Sequence, residues 1–186
     1  MMAAKGHLFI ISGPSGAGKS TILGTILRKR PQLRYSISYT TRLPRGNEKD
    51  GVEYHFISEV AFREKIVADE LAEWAEVHGR LYGTSATYIE EALAVGQDVL
   101  LDIDVQGAKR LLSKYPEAIS VFVAAPDRAE LRKRLMKRGT DSPEAVERRL
   151  KDAEEEMTQA HLYDHVLVND DLNQTVSRLE AILYEK

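Results

Sequence analysis

Gly13, Gly18, Lys19 and Ser20 stand in the order G-x-x-x-x-G-K-S within GPSGAGKST, residues 13–21. That spacing is built to cradle a polyphosphate. The glycines let backbone N–H groups turn inward around a phosphate, and a helix that starts there adds the favourable end of its dipole. Lys19 can reach β- and γ-phosphates, and the Ser20 hydroxyl is a natural ligand for Mg²⁺. Pro14, Ser15, Gly16 and Ala17 fill the loop, and Thr21 follows it into the helix. This much indicates a bound nucleoside triphosphate but not its use.

Three further clusters bear on that use. Arg42 and Arg45 lie three apart in TTRLPRG, beside a proline that stiffens the turn. Guanidinium groups bind phosphate oxygens in a forked geometry, although a solvated basic turn has the same composition. LLDID ends an apolar run with Asp102 and Asp104, expected to share a facing. Asp102 resembles a Walker B aspartate, which would hold the hydration shell of Mg²⁺, through water, or orient an arginine. Between residues 128 and 138, six of eleven residues are basic: Arg128, Arg132, Lys133, Arg134, Lys137 and Arg138. A solvated helix face, a nucleic-acid patch and a phosphate lid all fit such a run. The acidic balance of the chain and the lack of interleaved aromatics argue against nucleic acid.

These residues need a scaffold, and the hydrophobic pattern supplies one. Short apolar runs alternate with segments of helical period, which predicts an α/β fold with a mostly parallel sheet. Core strands are expected at 7–12, 98–104, 118–125 and 164–169, each a near-continuous run of Val, Ile and Leu as strands buried on both faces require. Helices are expected at 18–29, 105–114, 127–138 and 171–185. Residues 35–84 break the rhythm with short β-like pieces and read as an inserted small lobe. Ser142 followed by Pro143 starts another helix. Val146, Leu150, Ala153 and Met157 then share one face opposite a charged one, as in a surface helix or a mobile lid.

Composition narrows the functional classes. The chain has 186 residues, a net charge of −3 and no cysteine, so any anion site is local and no disulfide or thiolate metal site exists. The apolar run at Leu8–Ile11 is too short for a signal peptide or a membrane span, and a cytoplasmic location is the expectation. Neither a membrane nor a nucleic-acid partner is expected, and nothing in the sequence indicates an oligomeric state. A phosphate loop alone serves GTPases, motor ATPases, transporters and small-molecule kinases. No NKxD-type guanine-reading stretch for a GTPase is present.

SYTTRLPRGNEKDGVEYHF (38–56), AEWAEVHGRLYGTS (72–85), LLDIDVQGAK (100–109), RGTDSPEAVERRL (138–150) and VNDDL (168–172), together with the phosphate loop, resemble guanylate kinases almost from end to end. The resemblance implies a P-loop NTPase three-layer fold with core segments 1–34, 85–126 and 161–186. It adds a GMP-binding lobe at about 35–84 and a helical lid at about 127–160. It implies transfer of the γ-phosphate of ATP to GMP, and to dGMP, in purine nucleotide metabolism and GMP recycling, with Mg²⁺ as cofactor. Arg42, Arg45, Tyr54 and Tyr82 would clasp the acceptor phosphate. Glu73, Ser38, Thr84 and Asp104 would read guanine. A carboxylate can accept the N1–H and exocyclic amine of guanine side by side, whereas adenine presents an acceptor at N1. Arg134, Arg138 and Arg149 would neutralise charge on the transferred group, and Asn169 and Asp170 would lie on the adenine side. Without the resemblance, Glu73 in DELAEWAE reads as one more surface acid. Two other readings remain open: a related kinase with another phosphate acceptor, and a non-catalytic peptide-binding module.

Overall fold

Leu8–Ser12, buried at every residue, forms β1. The computed structural model describes residues 5–77, 79–137 and 142–184. After β1 the chain turns through the phosphate loop into α1, Lys19–Lys29. Short strands β2 (Arg34–Tyr35), β3 (Tyr39–Thr40) and β4 (His55–Phe56) follow, then α2 (Glu59–Val67). Next come β5 (Leu71–Val77), β6 (Arg80–Ser85), α3 (Ala86–Ala94), β7 (Val99–Asp102) and α4 (Val105–Lys114). The chain finishes with β8 (Ile119–Ala124), α5 (Arg128–Lys137), α6 (Pro143–Met157), a single 3₁₀ turn, β9 (His165–Val168) and α7 (Leu172–Tyr184).

The described chain divides into two compact units. One comprises residues 9–31, 102–105 and those from 119 onward. Its strands β1, β8 and β9 run parallel, with Phe9 opposite Ile119 and Val121 opposite His165. Phe9, Ile10, Ile11 and Val121 to Val123 are fully enclosed, as both-face burial of a parallel sheet requires. In the same unit Leu131 and Leu135 of α5 pack on Val146, Leu150 and Ala153 of α6. The Ser142 hydroxyl caps α6 by accepting from the Ala145 N–H at 3.3 Å, and Pro143 opens the helix. Of the four residues expected on the inner face of α6, Val146, Leu150 and Ala153 are buried. Met157, in the last turn, is 41% exposed.

The other unit comprises the described residues of 1–8, 32–101 and 106–118. Here β2 pairs with β7 in parallel, Tyr35 opposite Leu100. A four-stranded mixed sheet in the order β4-β3-β6-β5 follows the β-like pattern of the sequence. Its small core is Phe62, Leu71 and Leu81, with Tyr39, Ile57 and Ile66 against it. The Tyr39 ring is partly buried against this core. It lies 5.0 Å from the His55 ring, tilted by 33°, and Lys65 Nζ lies 4.7 Å above it. Ser58 and Ser85 cap α2 and α3 by accepting from the N–H of Ala61 and Tyr88.

Expectation and structure part at one strand end. β7 stops at Asp102, so Asp104 lies beyond the strand rather than sharing a facing within it. The chain already turns toward α4, which begins at Val105.

Candidate active site

The phosphate loop leaves β1 through Gly13, whose φ of +132° is one that L side chains rarely adopt. A Cβ there would fall 2.1 Å from the Val123 carbonyl oxygen. Gly18, at φ +98°, starts α1, and a Cβ on it would meet Asn169 Nδ2 at 2.2 Å. Both positions therefore need glycine for conformation and for space. Lys19 Nζ is folded onto the loop, donating to the carbonyls of Gly13 at 2.5 Å and Pro14 at 3.4 Å. Ser20 is exposed in the first turn of α1, and Thr21 N–H donates to the Gly18 carbonyl at 3.2 Å.

Three of the expected nucleotide-side residues hold this loop. Asn169, buried, donates from Nδ2 to the Ala17 carbonyl at 2.7 Å. Arg134 donates from Nη1 to the same carbonyl at 3.3 Å, from Nη2 to the Asn169 carbonyl at 2.9 Å and from Nε to Glu130 at 2.9 Å. Arg149, on α6, donates from Nη2 to the Ser15 hydroxyl. Asp170 is exposed beside Asn169. Arg138 lies outside the described residues. Arg128 and Arg132 are committed elsewhere, to Glu147 and Glu154 on the outer side of α6. Among the described residues, Arg128, Arg132 and Lys133 make exposed ion pairs and Arg134 turns to the loop.

Acidic groups surround Lys19. Burial lifts the Asp102 carboxyl above the ordinary carboxylate range, and the charge of Lys19 opposes this in part. Glu156, on α6, is pushed up to about 7, chiefly by burial; Lys19 opposes the shift while Asp104 and Asp152 add to it. The Asp102 carboxylate and the Ser20 hydroxyl are hard oxygen donors of the kind Mg²⁺ takes in small number beside phosphate and water. A buried carboxyl whose charge is under-compensated fits a cation alongside it. Among the described residues no group of three or more Asp, Glu, His or Cys forms an all-protein metal cage.

The second unit gathers the expected acceptor-side residues in two groups, except Asp104, which belongs to the first unit. Arg42 is buried and lies over the rings of Tyr54 and Phe56 at 5.2 and 5.7 Å. Tyr54 and Tyr82 meet edge to face at 5.8 Å. Glu48 accepts from Arg42 Nη1 and Nη2 at 2.8 and 3.1 Å and from the Arg45 backbone N–H at 2.7 Å. That pairing holds the Glu48 carboxyl below its usual range and raises Arg42 further, with Tyr82 contributing. The Arg45 side chain itself is exposed.

The other group follows from strand register. Glu73 lies opposite Thr84 across β5 and β6, and Thr84 Oγ1 donates to Glu73 Oε1 at 2.7 Å. Alternation in LAEWAEV turns Leu71, Glu73 and Ala75 inward, so Glu73 is a buried acid and not a surface one. Ser38 precedes β3, and its carbonyl takes the His55 N–H at 2.9 Å. Glu48, Glu130 and Glu156 were not among the residues expected from the sequence. Only the inward position of Glu73 had a readable signal, its two-residue period.

The guanylate kinase family model matches residues 5–186. The guanylate kinase of Symbiobacterium thermophilum is 51% identical over 179 residues, covering 96% of this chain and 85% of its own. That of Dechloromonas aromatica is 47% identical, covering 96% and 88%. A solved guanylate kinase from Anaplasma phagocytophilum superposes with a TM-score of 0.82 at 31% identity, covering 99% of this chain and 87% of that one. With a phosphate loop on one unit and a buried arginine–tyrosine cluster on the other, the chain belongs to the guanylate kinase family.

Proposed function

We propose that the protein transfers the γ-phosphate of ATP to GMP, and to dGMP, giving ADP and the nucleoside diphosphate in purine nucleotide recycling. Family membership over nearly the whole chain supports the reaction. The observation that carries the acceptor is the Glu73 carboxylate, buried and bonded to Thr84. Two carboxylate oxygens side by side suit the paired N–H donors on the edge of guanine and repel the N1 lone pair of adenine. In this reading Ser38, Thr84 and Asp104 complete the base site, and Arg42, Arg45, Tyr54 and Tyr82 hold the acceptor phosphate.

On the donor side, the backbone of residues 13–21 and Lys19 hold the ATP phosphates, with Asn169 and Asp170 towards the adenine. Lys19 exchanges its loop carbonyls for phosphate oxygens. Ser20 and, through water, Asp102 would hold Mg²⁺, which neutralises phosphate charge when bound. Arg134, Arg138 and Arg149 spread positive charge over the transferred group, and α5 and α6 form the lid of residues 127–160. The acceptor oxygen is already ionised near neutral pH, so no protein base is needed. Rate comes from in-line positioning and charge neutralisation. A cytoplasmic location agrees with this chemistry; among the described residues no helix is long and apolar enough to cross a membrane.

The test is ADP formation from ATP and Mg²⁺ with GMP, AMP, CMP, UMP or no acceptor. A rate with GMP far above the others is expected. Slow ADP release that no acceptor accelerates would overturn the proposal.

A further inference from the structure

Glycine inside a helix forfeits more backbone freedom on folding than any other residue. Gly107, the third residue of α4, does so without a conformational reason. It is not among the glycines of positive φ, and in the first turn of α4 its backbone is one that any L residue adopts. The reason lies in the space beside it. A Cβ on Gly107 would fall 2.7 Å from Glu73 Oε2, 3.1 Å from its Cδ and 3.6 Å from its Oε1. All three of its nearest neighbours belong to that one side chain. The carboxylate is thus set by the Thr84 hydroxyl at one oxygen and lies against the bare Cα of Gly107 with the other.

We propose that Gly107 is a specificity-determining positioning residue, whose missing side chain is the slot that keeps the Glu73 carboxylate in its base-reading position. The proposal rests on the reading of Glu73 as the guanine-reading group. Its physical content is a separation of costs. An alanine at 107 keeps the helix and improves its local propensity. The atoms in its way are the far end of a flexible side chain, so the fold absorbs the methyl by moving the carboxylate. Ordinary contact begins at 3.4 Å, and Glu73 must retreat to reach it. Two parallel hydrogen bonds to a base tolerate such a shift poorly.

The test compares wild type, Gly107→Ala, Glu73→Ala and the double variant, using GMP and IMP as acceptors. IMP lacks the exocyclic amine and so reports on one of the two bonds. For Gly107→Ala, kcat/KM for GMP should fall by about 10- to 100-fold. The preference for GMP over IMP should narrow, and KM for ATP should stay within about twofold. The melting temperature should equal or exceed that of wild type. In the Glu73→Ala background the second substitution should change GMP kinetics by less than about twofold, because the carboxylate it displaces is gone. Wild-type GMP kinetics in Gly107→Ala, with a large loss in Glu73→Ala, would overturn the proposal and leave the reading of Glu73 standing. No loss in either variant would overturn both. A misfolded Gly107→Ala, or equal losses in both backgrounds, would make the glycine merely structural and overturn the proposal.

Discussion

Arg42 and Glu48 meet as two parallel forks, Nη1 to Oε2 at 2.8 Å and Nη2 to Oε1 at 3.1 Å, six residues apart in the chain. The same carboxylate closes the turn by accepting the Arg45 N–H. Arg42 also donates to the Leu43 carbonyl at 2.8 Å, which fixes the plane of its guanidinium. Glu48→Gln keeps the size of the side chain and removes its charge. Initial-rate kinetics should show KM for GMP raised by roughly 5- to 30-fold, the loss of about 1–2 kcal/mol from a charge-assisted hydrogen bond. KM for ATP should hold. An unchanged KM for GMP would mean that Arg42 needs no support from this turn.

Lys19→Ala should lower phosphoryl transfer by about 10²-fold or more, as expected when a charge aimed at the reacting phosphates is lost. Its ammonium bonds only carbonyls of its own loop, at Gly13 and Pro14, among the described contacts. Circular dichroism and the unfolding midpoint should therefore match wild type. Normal turnover in the variant would remove the loop lysine from the reaction.

Asn169→Ala removes the shorter of the two donors to the Ala17 carbonyl and leaves Arg134 Nη1 at 3.3 Å. Loss of a buried hydrogen bond of this kind costs about 1–3 kcal/mol. Urea denaturation should register that loss, and KM for ATP should rise more than KM for GMP. A change confined to GMP would place Asn169 outside the donor side.

Glu156 makes stability depend on pH. Its carboxyl titrates at about 7 in the folded chain against 4.5 for an unperturbed group. Between those values the folded state binds a proton that the unfolded state has released, so stability declines as pH rises through the window and levels off above it. The linkage ceiling is about 3 kcal/mol, and partial exposure reduces it to roughly 1–2 kcal/mol. The groups facing it are Lys19, Asp104, Asp152 and Tyr163. Urea unfolding at pH 5 and pH 8 should show the decline in wild type and a flatter profile in Glu156→Gln. Parallel profiles would assign the pH dependence to other groups.

Much of the framework was legible because local and global signals agree. Leu8–Ser12, Val99–Asp102, Ile119–Ala124 and His165–Val168 fall within the four apolar runs; the first three are buried almost throughout, as strands covered on both faces require, whereas β9 leaves Val166 and Val168 exposed. The Ser142–Pro143 pair marks the start of α6 for an equally local reason. α2 left no such trace, because only Phe62 of its nine residues is buried and its pattern carries almost no period. α3 was hidden by its cap: Ser85 ends β6 and opens the helix in the same step. Strands β3 and β4 have two residues each, too few for any alternation. In the site, the phosphate loop was readable as a contiguous motif. The grip of Glu48 on Arg42 and the fit of Glu73 to Gly107 were not, because each depends on where a turn or a separate element brings one side chain to another.

The Ala17 carbonyl accepts both Asn169 Nδ2 and Arg134 Nη1, so the far half of the phosphate loop is pinned from outside by the residue that follows β9 and by one from α5. The ordering entropy of that half is therefore spent during folding and not at the moment of encounter. On the proposed reading a nucleotide would meet a preorganised cradle, and its arrival would draw the Lys19 ammonium away from the carbonyls of Gly13 and Pro14.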